Sequence, residues 1–548
     1  MPISSRRIAA YSAKSCVAAA AFVLVGCSAG SRPSSLPFDS SLQAIAATTL
    51  APQQRMAIAS LVISETTHGN GEVVPGVLPP NPEARRIATA QADVALLMGR
   101  TWYVLPTGSD RATGTADQPF ASIQHAIDAS QPGDAVIIQA GVYKVNKPVR
   151  IVGKRGSADK KLLVVGHGLP TITGTNPSVP AVWSGLIEIS DSSHVLVQGL
   201  ALERSAFFGF KIANSDHVDL LKNRSTISLA SAIHAANSTS ISVEDNDLSR
   251  FCDLNKYGAD GRTGCQEGIT LANVDRFSVL RNRIHDAPQQ PSVRPGGGEG
   301  IDIKQGSRNG LVEGNLVWNL PQIGIYVDGY ELGVTNIKIR ANQVWHTFMG
   351  IVVNSEQGGV VSNVDINDNL IHDVGYHGIL IDNLKKERGG DGRRQRIRIY
   401  NNTIVSAGVK EAKPPYCRLW SDPCVDSGVG VKVATTNITG LDIHDNIILD
   451  AKSMPMMIEL AIRNTSRIER NLVWSGVSST LTRGFLGNNP IVANPLLVDP
   501  DGGDYRLKPG SPAIGTGVGG APLERDITGR QRPANAPIDL GAFAFRDN

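Results

Sequence analysis

Residues 300–303 read Gly300-Ile301-Asp302-Ile303, and the same shape returns as Gly324-Ile325-Tyr326-Val327, Gly350-Ile351-Val352-Val353 and Gly378-Ile379-Leu380-Ile381. Further copies are Gly209-Phe210-Lys211-Ile212, Gly268-Ile269-Thr270-Leu271 and Gly430-Val431-Lys432-Val433. In each, two apolar side chains bracket one residue that points the other way, because side chains alternate along a strand. A second column runs in step: an apolar residue, two variable ones, then asparagine, as in Val312-Glu313-Gly314-Asn315. Its asparagines are Asn223, Asn246, Asn282, Asn315, Asn342, Asn369, Asn402, Asn446 and Asn471, spaced 23, 36, 33, 27, 27, 33, 44 and 25 residues apart. The shortest spacings, 23 to 27 residues, define the unit, and the longer ones add an insertion to it. Two or three short strands per unit, turned by Gly and Asn and stacked about 4.8 Å apart, build an all-β solenoid, a parallel β-helix. The asparagines are assigned to structure, since Asn tolerates left-handed backbone and stacked Asn side chains bond along the axis. A leucine-rich repeat is disfavoured because Leu does not dominate the inward positions.

Composition agrees with a narrow, repetitive core. Glycine supplies 56 of 548 residues, while aromatics are 5% and charged residues 19%. Hydrophobic residues at 41% suffice for a core and exclude a largely disordered chain. No Gly-x-y period appears, which excludes collagen. The net charge of +3, from 53 basic and 50 acidic residues, offers no basic stripe and argues against nucleic acid as a partner.

Residues 1–14 carry Arg6, Arg7 and Lys14 and no acid, and an Ala-rich apolar run follows to Gly26. This is the charged start and apolar body of a secretory signal, too short to span a bilayer, which needs about 20 residues. It ends Leu24-Val25-Gly26-Cys27, which resembles the bacterial lipobox. The resemblance implies cleavage before Cys27, lipidation of Cys27 and a lipid-anchored protein of the bacterial cell envelope, at the outer membrane or facing the periplasm. The expected organisation is a lipoprotein signal peptide over 1–26, a partly helical tether over 27–98, the β-helix over 101–490 and a C-terminal cap segment over 491–548. Beyond Cys16 and Cys27, four cysteines remain, and three pairings are open. Close spacing favours disulfides Cys252–Cys265 and Cys417–Cys424 as loop staples in an oxidising compartment. A zinc site is disfavoured because no Cys-x-x-Cys pair occurs.

An open solenoid needs capped ends. Residues 115–140 supply one: Gln118-Pro119-Phe120 leads into a helical pattern with Phe120, Ile123, Ala126 and Ile127 on one face. Pro132-Gly133-Asp134 then turns into the strand Ala135-Val136-Ile137-Ile138. This stretch resembles the opening of secreted right-handed β-helix proteins of the pectate-lyase superfamily. The end of the chain, from Asn494-Pro495 through Gly510-Ser511-Pro512-Ala513-Ile514 to Ile538-Asp539-Leu540-Gly541-Ala542, resembles the segment that follows many such bacterial β-helices. The resemblance implies a right-handed parallel β-helix with an N-terminal capping helix and a C-terminal cap.

The insertions fall at 252–265, 288–298, 385–394 and 410–426, and loops on one side of a solenoid are where a cleft forms. They surround the outward residues Thr270, Asp302, Tyr326 and Val352. Aligning the glycine columns puts Glu267 beside Glu299, and Lys304 beside Asp328. Asp302 and Lys304 should point the same way. A carboxylate cluster holds Ca²⁺ through oxygen ligands, and the ion neutralises a sugar carboxylate. Lys304 then takes the proton alpha to it, since a nearby cation lowers a lysine pKa. The plain alternative is an ion-pair ladder of Lys304 with Asp328 or Asp302.

Glu299-Gly300-Ile301-Asp302-Ile303-Lys304 resembles the Glu-plus-Lys strand of the β-helical lyase family that contains chondroitinase B and alginate lyases. The resemblance implies Glu299 as a Ca²⁺ ligand and Lys304 as the Brønsted base. The family has a second Glu where this chain has Gly297, and its Arg on the following turn falls near Ile325 or Tyr326. Asp302 and Asp328 are the candidate replacement ligands, with Glu267 completing the carboxylate cluster and Tyr326 donating to the leaving oxygen. The expected function is that of a polysaccharide lyase, working as a monomer on an acidic, uronate-containing polysaccharide by β-elimination. Two other classes stay open: a non-catalytic glycan-binding β-helix, and a glycoside hydrolase or epimerase on the same scaffold, with Asp302 and Asp328 as the hydrolytic pair.

Overall fold

The computed structural model describes residues 99–174, 183–253, 265–288, 297–382, 391–408, 428–481, 483–519, 525–533 and 537–546 of the chain. The signal peptide, the tether, Cys27, the Cys417–Cys424 pair and most of the four insertions lie outside these residues.

Within them, each coil contributes three strands. Ile301–Lys304, Arg308–Glu313 and the start of Leu316–Asp328 make one coil, and each pairs in parallel with its counterpart above and below. The strands join in one 34-stranded sheet. Alternation decides the inside: Ile301, Ile303, Ile325, Val327, Ile351 and Val353 are fully buried and stack coil on coil. Burying each such side chain contributes about 1.5–3 kcal/mol.

The two columns turn out to have different causes. The glycines permit close approach: a Cβ on Gly300 would lie 2.5 Å from the Gly324 carbonyl oxygen, and one on Gly350 2.3 Å from that of Gly378. The asparagines form a buried ladder. Asn282 donates both its backbone N–H and its Nδ2 to Asn315 Oδ1 (2.9 and 3.0 Å), and Asn315 repeats this to Asn342 (3.0 and 2.9 Å). Left-handed backbone belongs to the residue before each Asn instead: Arg281, Gly314, Ala341 and Asp368 have φ of 54°, 66°, 54° and 53°. The expectation that Asn itself takes that conformation is corrected, because the Asn side chain is needed at a regular position beside the axis.

The N-terminal end is closed as expected. Helix Ile123–Ala129 starts at Ser122, whose Oγ accepts from His125 N, and buries Ile123, Ala126 and Ile127. The C-terminal end differs from the expected cap over 491–548. Leu481, Phe485 and Leu486 pack on the last of the core, and Ile491–Val492 still pairs as a strand with Leu472–Trp474. Beyond it, Leu497, Tyr505, Leu507, Leu540 and Phe543 pack on Leu370, Val405, Ile447, Leu449 and Leu472, which face outward from the third strand of successive coils. The tail is a lateral strap because those outward positions are apolar and need cover. No helix among the described residues is long and apolar enough to cross a membrane.

Candidate functional site

The outward residues of the first strand in each coil form one column: Lys211, His234, Thr270, Asp302, Tyr326, Val352, Leu380. An outer sheet face is ordinarily solvated, yet Thr270, Asp302, Tyr326, Val352 and Leu380 are all buried. Buried polar groups there need partners. Lys304 supplies the first. Its Nζ lies 2.6 Å from Glu267 Oε1 and 2.6 Å from Asp302 Oδ2, and its side chain is 24% exposed. Asp302 and Lys304 thus share one side of the strand, as alternation requires. Glu267 Oε2 accepts from Thr270 Oγ1 at 2.5 Å, and Thr270 in turn meets Ser231 Oγ at 2.8 Å. Among the described residues, Glu299 Oε2 and Asp302 Oδ1 are buried without a hydrogen-bond partner.

Electrostatics follow from this packing. Desolvation works against the Lys304 charge, but Asp302 and Glu267 outweigh it and hold Lys304 well above its ordinary pKa. Its described neighbours are anions, and with them Lys304 is an ammonium at rest. Burial and the Glu267 charge push Glu299 up to about 7. Burial likewise raises Asp302 well above the carboxylate range, with Lys304 opposing and Glu267 and Asp328 adding to the rise. Burial also acts on Glu267, but Lys304 and Thr270 hold that carboxylate below its ordinary value.

Lys304 pairs in register with Asp328, as the alignment required. The ion pairs, however, run to Glu267 and Asp302. Asp328 Oδ1 instead accepts from the backbone N–H of Tyr330 (2.9 Å) and Glu356 (3.3 Å), while burial and then Glu356 push it up to about 6. Tyr326 donates its hydroxyl to Glu356 Oε1 at 2.9 Å and accepts from Asn354 Nδ2 at 3.2 Å. The hydroxyl expected to serve a leaving oxygen is thus hydrogen-bonded to a carboxylate in this structure.

Among the described residues, the arrangement does not suit calcium. Glu267, Glu299 and Asp302 carry the hard oxygen donors that Ca²⁺ takes. Among the described residues, though, the one group of three or more His, Cys, Asp or Glu with ligand atoms mutually within 4.8 Å is elsewhere. The Lys304 ammonium bridges two of these carboxylates itself. Gly297 adds the steric reason for the absent glutamate: at φ 85°, its Cβ would lie 2.4 Å from the Cys265 carbonyl oxygen. Cys265 is held there by the disulfide to Cys252, the pairing that close spacing favoured.

Three neighbours escaped the sequence reading. His234 stacks on Phe208 (centroids 4.4 Å) and meets Trp183 edge-on at 6.1 Å, and burial lowers it to about 4. Trp183 itself stays 50% exposed at the edge of this group. Arg394 is fully buried, donates Nη2 to Asn354 Oδ1 at 2.9 Å and pairs with Asp391. One signal pointed to His234. Gly209 and Gly268 are 59 residues apart, room for an unread copy, and Ala232-Ile233-His234-Ala235 is that copy with Ala in the glycine slot.

Comparison with known proteins settles the handedness. The family described as right handed beta helix region matches residues 166–331 and 224–404. The described coils form a right-handed parallel β-helix. This β-helix is similar to pectate lyase Pel9A in structure, with a TM-score of 0.51 at 13% identity, covering 82% of this chain and 98% of that one. In sequence it is 26% identical over 318 residues to the uncharacterized protein YwoF of Bacillus subtilis (strain 168), covering 53% of this chain and 65% of YwoF. It is also 26% identical over 197 residues to pectate lyase PEL9 of Emericella nidulans (strain FGSC A4), covering 34% of this chain and 48% of PEL9. The β-helix thus spans between about half and two thirds of the length of these two relatives.

Proposed function

We propose that the β-helix is a carbohydrate-active enzyme that cleaves an acidic, uronate-containing polysaccharide by β-elimination. The observation that carries this reading is the Lys304 ammonium, 2.6 Å from both Glu267 and Asp302, on the outward face beside Glu299, whose acid form burial favours. A relative that bears the name pectate lyase supports it.

Asp302 is the carboxylate best able to take the Lys304 proton, since burial favours its acid form. That transfer leaves a neutral amine and a neutral acid, an exchange assisted where charges are desolvated. The amine takes the proton alpha to the uronate carboxylate. Glu299, in its acid form, hydrogen-bonds that carboxylate as negative charge moves onto it. Asp302 then gives its proton to the leaving glycosidic oxygen. One C–H and one C–O bond break, one C=C and one O–H bond form, and Lys304 and Asp302 return to their ion pair.

A second reading has its own observation. Glu267 is held ionised while Glu299 is pushed to about 7, and two carboxyls with separated pKa values suit a hydrolase. Incubation with polygalacturonate, alginate and chondroitin separates the readings. Elimination gives an unsaturated, ultraviolet-absorbing product, and its rate is expected to survive a chelator. Loss of rate on chelation would return calcium to the site. New reducing ends without absorbance would mean hydrolysis, and binding without turnover would mean a glycan-binding module. The envelope location through Cys27 belongs to the same proposal: palmitate labelling is expected in the wild type and absent in Cys27→Ser.

A further inference from the structure

A separate cluster stands where two coils begin their second strands. Ser193–Gln198 and Asp216–Leu221 pair in parallel with Ser193 opposite Asp216, which sets His217 one coil beyond His194. Both histidines take left-handed backbone, φ 56° and 51°. In later coils the same position holds Asn309, Asn336 and Asn363, whose side chains hydrogen-bond to one another along the axis at 2.9 and 2.8 Å. The two histidines stack instead, with ring centroids 4.4 Å apart and planes 12° from parallel. Asp216 Oδ2 lies 2.5 Å from His217 Nδ1.

Each of His194, Asp216 and His217 brings a ligand atom within 4.8 Å of the others, and no other such group of three occurs among the described residues. His217 is exposed and the other two are half-buried, so an ion has access. Lys161, the nearby cation, is paired with Asp219 at 2.9 Å, which offsets its charge.

We propose that His194, His217 and Asp216 form a binding site for one divalent transition ion of the kind imidazole prefers, such as Zn²⁺ or Ni²⁺, with its remaining positions open to water. The test is a calorimetric titration of the metal-stripped full chain with Zn²⁺, beside His194→Ala, His217→Ala and the double variant. The wild type is expected to bind one equivalent that the double variant lacks, with affinity at least tenfold weaker in each single variant. Zn²⁺ should raise the melting temperature of the wild type and leave that of the double variant unmoved, while the metal-free melting temperatures agree. Equal binding by wild type and double variant, or no binding by either, would overturn the proposal.

Discussion

Lys304 meets two carboxylates that respond to it in opposite ways. Glu267 has both oxygens engaged, by Lys304 and by Thr270, and stays ionised. Asp302 has one oxygen on Lys304, one without a partner among the described residues, and the charges of Glu267 and Asp328 nearby, so its acid form is favoured. The sequence placed Glu267, Asp302, Lys304 and Asp328 on three successive coils but could not tell which carboxylate the ammonium chooses, because that depends on rotamers and burial. It also carried no sign of the proton that Tyr326 gives to Glu356, which lies 30 residues on. Glu299 yields a prediction in pH. Its pKa rises from 4.5 to about 7 on folding. The native state therefore prefers the protonated form, and the stability this confers is full below about 4.5 and lost as pH rises through 7. Glu299→Gln should melt like the wild type near pH 4.5 and be more stable above pH 7, by about 1–3 kcal/mol. Denaturant titrations at the two pH values check this, and equal stabilities at both would contradict it. Trp183 belongs to the same scale. A half-exposed indole beside His234 presents a face on which a sugar ring stacks, so Trp183→Ala should weaken oligouronide binding several-fold with little effect on the melting temperature.

Elements in this molecule are held by columns, and each column has its own failure mode. Asn315→Ala takes away the acceptor of the buried Asn282 backbone N–H and removes the side-chain bond to the Val279 carbonyl inside the core. The expected cost is about 2–4 kcal/mol, read from denaturant unfolding. Gly300→Ala drives a Cβ to 2.5 Å from the Gly324 oxygen and 2.6 Å from Val317 Cγ1. It should cost about 1–3 kcal/mol or more, because the Gly324 carbonyl belongs to the backbone of the next coil, which cannot yield. Gly476→Ala is the control: nothing lies within 4 Å of its Cβ, so a change within about 0.5 kcal/mol is expected. Both columns were legible from spacing alone. Their reasons were not, since φ at Arg281 and Ala341, and the coil-to-coil distance at Gly300, are properties of the stacked chain.

Over the whole molecule, the solenoid was legible because one unit repeats, whereas the tail was not because its partners lie far off in sequence. Arg532 is buried against Asp368, 164 residues away, at 2.7 Å, and also donates to the Gly541 carbonyl. Its partner Asp368 is the left-handed residue before Asn369, so the strap fastens onto the ladder itself. Arg532→Ala would strand a buried carboxylate that burial already pushes up to about 6, and a loss of about 3–5 kcal/mol is expected. The strap covers the third strands and leaves the Lys304 column to a different face, so this loss should appear in unfolding and leave substrate affinity unmoved. One rate tests the role of Lys304 most directly: formation of ultraviolet-absorbing product from the best acidic polysaccharide, by wild type, Lys304→Ala and Lys304→Arg at equal concentrations of folded protein. Loss of at least a thousandfold in both variants is predicted, because neither alanine nor an always-charged guanidinium can take the alpha proton. Undiminished product from Lys304→Ala would contradict it.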